Sequence, residues 1–194
     1  MDDERFDTFI GYQEIVLQLT LKFFNSTKEN MKIFSEIKGT FAWVSAHRPR
    51  RAYQHPLMPF TPDEFSTCLI ITDLNEVNKL EELIVTFGLK LKITEVNTEE
   101  LKLRIKCELP KDAGKTSHTV TFRKSTETEG VKIKPEDRPV VYYNIQDSLI
   151  NITHDVQVAN GSKGTLRFEI AKSKRGFNYS LLNALIVDEL IEYK

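Results

Sequence analysis

Residues 165–170 (Thr165-Leu166-Arg167-Phe168-Glu169-Ile170) alternate apolar and polar side chains, the period of a strand with one face on a core. Lys172-Ser173-Lys174-Arg175-Gly176 then forms a turn signal. Beyond it, Leu181, Leu182, Leu185, Ile186, Leu190 and Ile191 fall at helical spacing, which predicts an amphipathic helix over 180–193. A strand, a basic turn and an apolar closing helix constrain the fold strongly, because all three must share one core.

The rest of the chain supplies partners for that strand. Leu17, Leu19, Leu21 and Phe23 alternate with polar residues, and a second extended segment runs from Ile33 to Trp43. A short helix is expected near 5–11. Phe65 to Thr72 is apolar and β-prone. Asp73 is placed to cap a helix, with Glu76 as its reciprocal partner; Val77, Leu80, Leu83, Ile84 and Phe87 form the apolar stripe, and Gly88 stands at the C′ position. Two further alternating segments, 89–93 and 101–107, predict strands separated by a turn at Asn97-Thr98-Glu99. Strands are also expected at 119–122, 140–143 and 150–158, with an exposed charged loop over 125–138. Four of the seven prolines (Pro49, Pro56, Pro59, Pro62) fall in 46–63, so this stretch reads as an extended linker or strap. The expected class is α+β, a mainly antiparallel sheet with two helices on one face and an N-terminal β segment. The expected divisions are a β-rich segment 1–45, a basic proline-rich linker 46–63 and an α+β domain 64–194.

Composition narrows function mainly by exclusion. With 27 basic and 28 acidic residues, whole-chain charge favours no anionic partner, so any electrostatic role must come from local segregation. Lys90, Lys92, Lys102, Arg104 and Lys106 lie opposite the apolar residues of their two predicted strands, and pairing those strands would project five cations from one face. That face is either a site for phosphates, phospholipid headgroups, an acidic peptide or nucleic acid, or an ordinary solvated surface. Arg48, Arg50 and Arg51 form a second basic cluster in the linker, with Tyr53 and Phe60 nearby as stacking candidates. Lys172, Lys174 and Arg175 precede the predicted closing helix, where cations oppose its dipole and point to an anion-binding role.

No catalytic constellation is present. The four histidines lack metal-ligand spacing, and there is no HExxH, CxxC or glycine-rich phosphate loop; no metal or cofactor is expected. Cys68 and Cys107 sit among apolar residues, as reduced buried thiols do, and no apolar run approaches the roughly 18 residues of a membrane span. These features imply a cytoplasmic or nuclear protein that is not an enzyme.

Asn75 to Cys107, read as helix, glycine and two strands, and Leu166 to Leu190, read as last strand, basic turn, Tyr179 and closing helix, together resemble the kinase-associated C-terminal domain of AMP-activated, checkpoint and calcineurin-B-like-interacting protein kinases. No kinase motif accompanies them. The resemblance implies a regulatory module that binds acidic phospholipid or packs against a protein partner, with Lys172, Lys174 and Arg175 contacting the anion. The leading expectation is a non-enzymatic interaction or regulatory subunit; the alternative is a nucleic-acid or anionic-phospholipid binder.

Overall fold

A computed structural model describes residues 32–50, 62–111, 113–128 and 131–191. The expected helix at 5–11, the alternating segment 17–23, Arg51, Tyr53, Phe60 and the prolines at 56 and 59 lie outside those residues. The class is α+β: among the described residues, an eight-stranded, mostly antiparallel sheet carries two α-helices.

Five long strands form the frame: β1 (Ile33–Ala42), β2 (Glu64–Ile71), β4 (Thr116–Ser125), β9 (Lys163–Lys172) and β10 (Asn178–Glu189). Shorter strands are β3 (Thr94–Asn97), β7 (Val140–Ile145) and β8 (Ser148–Asn151), with β5 (Glu127–Thr128) and β6 (Val131–Lys132) as a separate hairpin. The sheet order is β3-β4-β2-β1-β9-β10-β7-β8, and only β10–β7 is parallel. β1, from the N-terminal part of the chain, lies between β2 and β9. β10 also lies against β4 and β2, so the sheet curls until its third and fifth long strands meet. Phe122 of β4 and Phe168 of β9, on strands that do not pair, bring their rings to 4.9 Å across the interior. Five antiparallel strands in the order third, second, first, fourth, fifth, with the fifth returning to the third, are the arrangement of a partly open OB-fold barrel.

Alternation fills the interior. Ile37, Phe41, Leu69, Ile71, Val120, Phe122, Leu166, Phe168, Leu182 and Leu185 belong to one buried cluster. Each such side chain contributes roughly 1.5–3 kcal/mol before entropy is charged against it.

Helix α1 (Leu74–Phe87) adds Val77 and Leu80 to this cluster. Asp73 caps it by accepting from the Asn75 N–H, and Gly88, at φ 61°, donates to the Ile84 and Val85 carbonyls as a C′ glycine should. Glu76 does more than serve its own helix: its Oε2 accepts the Lys38 N–H at 3.0 Å, tying α1 to β1. Helix α2 (Thr98–Ile105) packs on the other side of β2, where Leu101 and Ile105 join Ala42, Cys68 and Ile70.

Several expectations are corrected: 89–93 joins no strand ladder, and the strand expected over 150–158 is β8, which ends at Asn151. The helix expected over 180–193 is not found in its described part, 180–191; 178–189 is β10, paired with β9 along its length and with β7. Residues 101–107 are not a strand; 98–105 is α2, ended by Lys106 in the left-handed region. The resemblance to the kinase-associated domain therefore falls, because the closing helix and the second strand that carried it are absent. No helix among the described residues is long and apolar enough to cross a membrane.

Candidate nucleic-acid interface

The outward face of β4 carries Thr119, Thr121 and Arg123, because Val120 and Phe122 alternate with them into the core. Residues 89–93 run beside that face as an extended segment outside the sheet ladder. Their period is the one read from the sequence: Leu89, Leu91 and Ile93 turn toward the core, and Lys90 and Lys92 toward solvent. Tyr179 and Ser180 at the start of β10 form the opposite wall. The result is an open groove of about 490 Å³ whose lining includes Lys90, Lys92, Thr121, Arg123 and Tyr179.

The hairpin between β9 and β10 leads directly into Tyr179 and Ser180 of this groove. Ser173 folds it, its N–H donating to the Phe177 carbonyl and its Oγ accepting the Phe177 N–H, while Gly176 takes φ 85°. Asn178 Nδ2 donates to the Phe87 carbonyl at 2.8 Å, which pins the hairpin base to the end of α1. Phe177, 62% exposed, lies with its ring 5.5 Å from Lys90 Nζ, a cation–π distance. Lys172, Lys174 and Arg175 are thus exposed residues of a β-hairpin, with no helix dipole behind them.

The other cations distribute differently. Lys102 and Arg104 project from α2 and Lys106 is its cap, so they share no strand face with Lys90 and Lys92. Lys102 is held by Glu99 at 2.9 Å and Glu108 at 3.8 Å, and the Glu99 hydrogen bond pushes its ammonium pKa up. Arg104 lies 5.8 Å from the centre of the Trp43 ring. In the linker, Arg50 pairs with Glu64 at 3.2 Å, and Glu64 also faces Arg123 at 3.7 Å. One carboxylate therefore serves two guanidiniums, and the local balance stays positive. Arg48 is exposed on the approach to that bridge.

Of the cations singled out from the sequence, Lys90 and Lys92 line this groove beside Thr119, Thr121 and Arg123, which the sequence reading did not single out, and those at 172–175 do not line it. Thr119, Thr121 and Arg123 sit in a segment whose alternation was legible; Phe177 and Tyr179 were hidden by assigning the segment after the turn to a helix. Chemically the groove offers cations, hydroxyls and two aromatic faces. It contains no nucleophile–base pair, and among the described residues no group of three His, Cys, Asp or Glu is placed to hold a metal.

No protein-family model and no curated protein sequence matches the chain. Among solved structures, the single-stranded DNA-binding protein of bacteriophage Enc34, determined with single-stranded DNA, is similar over 86% of this chain and 95% of its own, at 11% identity and a TM-score of 0.48. The single-stranded DNA-binding protein gp2.5 of bacteriophage T7 is similar over 84% of this chain and 90% of its own, at 14% identity and a TM-score of 0.47. Neither is a kinase-associated domain.

Proposed function

We propose that the protein is a binding module for single-stranded nucleic acid, held along the outward face of β4 and beside the β9–β10 hairpin. The observation that carries this reading is the convergence of Lys90, Lys92, Arg123 and Tyr179 around one open groove, with Phe177 against Lys90 at its margin. Cations in a row suit a phosphate backbone, and aromatic faces beside them suit bases of any sequence. An OB-type barrel places its oligonucleotide contacts on such a strand face and the adjoining loops, an analogy of fold that agrees with the site.

The regulatory-subunit reading loses its main support. It followed from the resemblance whose closing helix is absent, and Leu182, Leu185 and Val187 of that stretch are buried in the barrel's own core. Acidic phospholipid remains the comparison to exclude, since its headgroup offers the same phosphate chemistry without bases.

Anisotropy of a labelled thymidine oligonucleotide, titrated at several salt concentrations, tests the proposal. Affinity should fall as salt rises, with a log–log slope of about 0.7 per phosphate neutralised. Lys90→Glu/Lys92→Glu should weaken binding and flatten the slope, while vesicles rich in phosphatidylserine should compete poorly. Absence of oligonucleotide binding, or binding indifferent to the double variant, would overturn it.

A further inference from the structure

Trp43 is the single tryptophan of the chain, and it is 40% exposed with φ at +50°. A bulky residue in the left-handed region is unfavourable and persists only where its surroundings hold it. Two hydrogen bonds from one side chain do so. Asn160 Oδ1 accepts the Trp43 N–H at 2.7 Å, and Asn160 Nδ2 donates to the Ile105 carbonyl at 3.0 Å, at the end of α2.

The strained backbone redirects the ring. Phe41 and Val44 belong to the interior cluster, and strict alternation from Phe41 would send residue 43 inward as well. The left-handed turn instead sets the indole beside Arg104 on the α2 side, at 5.8 Å. This position lies on the same side of the sheet as the groove floor, with the buried residues of β2 and the covering helix α2 between them. Ala42, the preceding residue, pairs with Cys68, and Cys68 pairs with Thr121, which lines the groove. Two strand spacings, roughly 10 Å, therefore separate the base of Trp43 from the groove floor.

We infer that Trp43 and Arg104 form a second base-stacking platform for the same nucleic-acid strand, with Asn160 as the positioning residue that fixes its orientation. This rests on the proposed single-strand binding and extends its footprint from the hairpin and β4 past α2, where Arg104 lies, to the end of β1. The bound segment then spans several nucleotides, within the range of roughly 4–16 typical of one OB barrel. The indole supplies a face for a base, and the guanidinium on the same ring supplies a cation for the neighbouring phosphate.

The sole tryptophan makes the test direct. A thymidine oligonucleotide of about a dozen residues is added while indole emission is followed, and anisotropy of a labelled copy reports binding independently. Quenching that saturates with the anisotropy is expected. Trp43→Gly removes the ring at a φ that glycine adopts freely, so the variant should retain its circular dichroism while losing about tenfold in affinity, with the salt slope unchanged. Trp43→Phe should recover most of the loss, and Asn160→Ala should weaken binding and reduce quenching. Oligonucleotide binding without quenching, or wild-type affinity in Trp43→Gly, would overturn the platform and leave the single-strand reading standing. No anisotropy change in the wild-type protein would overturn both.

Discussion

Gly39 of β1 and Gly164 of β9 stand opposite each other in the antiparallel ladder. A Cβ on either would collide with the backbone of the next strand out, the Ile70 carbonyl for Gly39 and the Ile186 carbonyl for Gly164. The paired glycines thus let β2 and β10 fold in closely on both sides of the central pair, where the sheet must bend to bring β10 round to β4. Gly164→Ala should lower unfolding free energy by about 2–4 kcal/mol in urea titrations, since backbone and not a flexible side chain must give way. Gly114→Ala, with open space around its Cα, should change stability by less than about 0.5 kcal/mol. Equal effects at the two positions would refute this account of the bend.

The cations of α2 and of the groove should separate in binding measurements. Lys102 already satisfies Glu99 and Glu108, whereas Lys90 stands over Phe177 at the groove. Lys102→Glu is expected to change oligonucleotide affinity by less than about twofold, against about tenfold for Lys90→Glu/Lys92→Glu, each phosphate contact carrying its own counterion release. Anisotropy at one low salt concentration, with circular dichroism confirming both folds, decides the matter.

The two thiols should differ in reactivity. Burial pushes the Cys68 thiol up to about 11, outweighing the Thr121 hydrogen bond and the Arg104 charge that favour its thiolate. Cys107 is raised as well, by burial first and the Glu108 carboxylate second, but it is only partly covered. A disulfide reagent applied near pH 8 should therefore modify Cys107 first, and Cys107→Ser should abolish the fast phase. Between the thiol's ordinary 9.0 and about 11, the folded state keeps a Cys68 proton that the unfolded state has lost, so this group's contribution to stability falls as pH rises there. A fast phase that survives Cys107→Ser would contradict the assignment.

Lys124 pulls the other way. Its side chain extends from β4 on the Phe122 side, 6% exposed, and burial lowers its pKa despite the Glu169 and Asp137 carboxylates nearby. Below its folded value the buried charge is a standing penalty; between that value and 10.5 the unfolded state holds the extra proton, and the penalty is relieved as pH rises. Lys124→Met should therefore be at least as stable as wild type near neutral pH, by up to about 1 kcal/mol, with the gain shrinking toward about pH 10. Glu169 keeps Lys32 as a partner at 3.9 Å, so no orphaned carboxylate offsets the gain. Denaturant midpoints at the two pH values test this, and a loss of stability at neutral pH would show the ammonium to be a net support.

The bounds of helix α1 were legible because cap, stripe and C′ glycine agreed at Asp73, Val77, Leu80 and Gly88, whereas Glu76, read as the cap's reciprocal partner, accepts from Lys38 of β1. β10 was not, and its irregularity explains why. Register shifts between Leu182 and Ala184 and between Val187 and Glu189 place buried residues at 182, 184, 185 and 187. A bulged strand thereby acquires the i, i+3 spacing of a helix. The reverse confusion hid α2: Leu101 and Ile105 satisfy both the i, i+4 of a helix and the i, i+2, i+4 of a strand, and Leu103, 79% exposed, was the residue that fitted only the strand. Asn97, which accepts from the Glu99 and Glu100 N–H groups, was the available helix-start signal. The groove inherits both difficulties, since one wall begins β10 and the cations read as its extension belong to α2.

Glu36 on β1 and Arg167 on β9 are ion-paired neighbours separated by 131 residues of chain. During synthesis at about 5–20 residues per second, one edge of β1 consequently waits on the order of ten seconds for the strand that will cover it. Over that interval β1 exposes Ile37 and Phe41 beside unpaired backbone. A delay before residues 163–172 emerge should therefore expose these side chains to off-pathway pairing for longer than a delay after them.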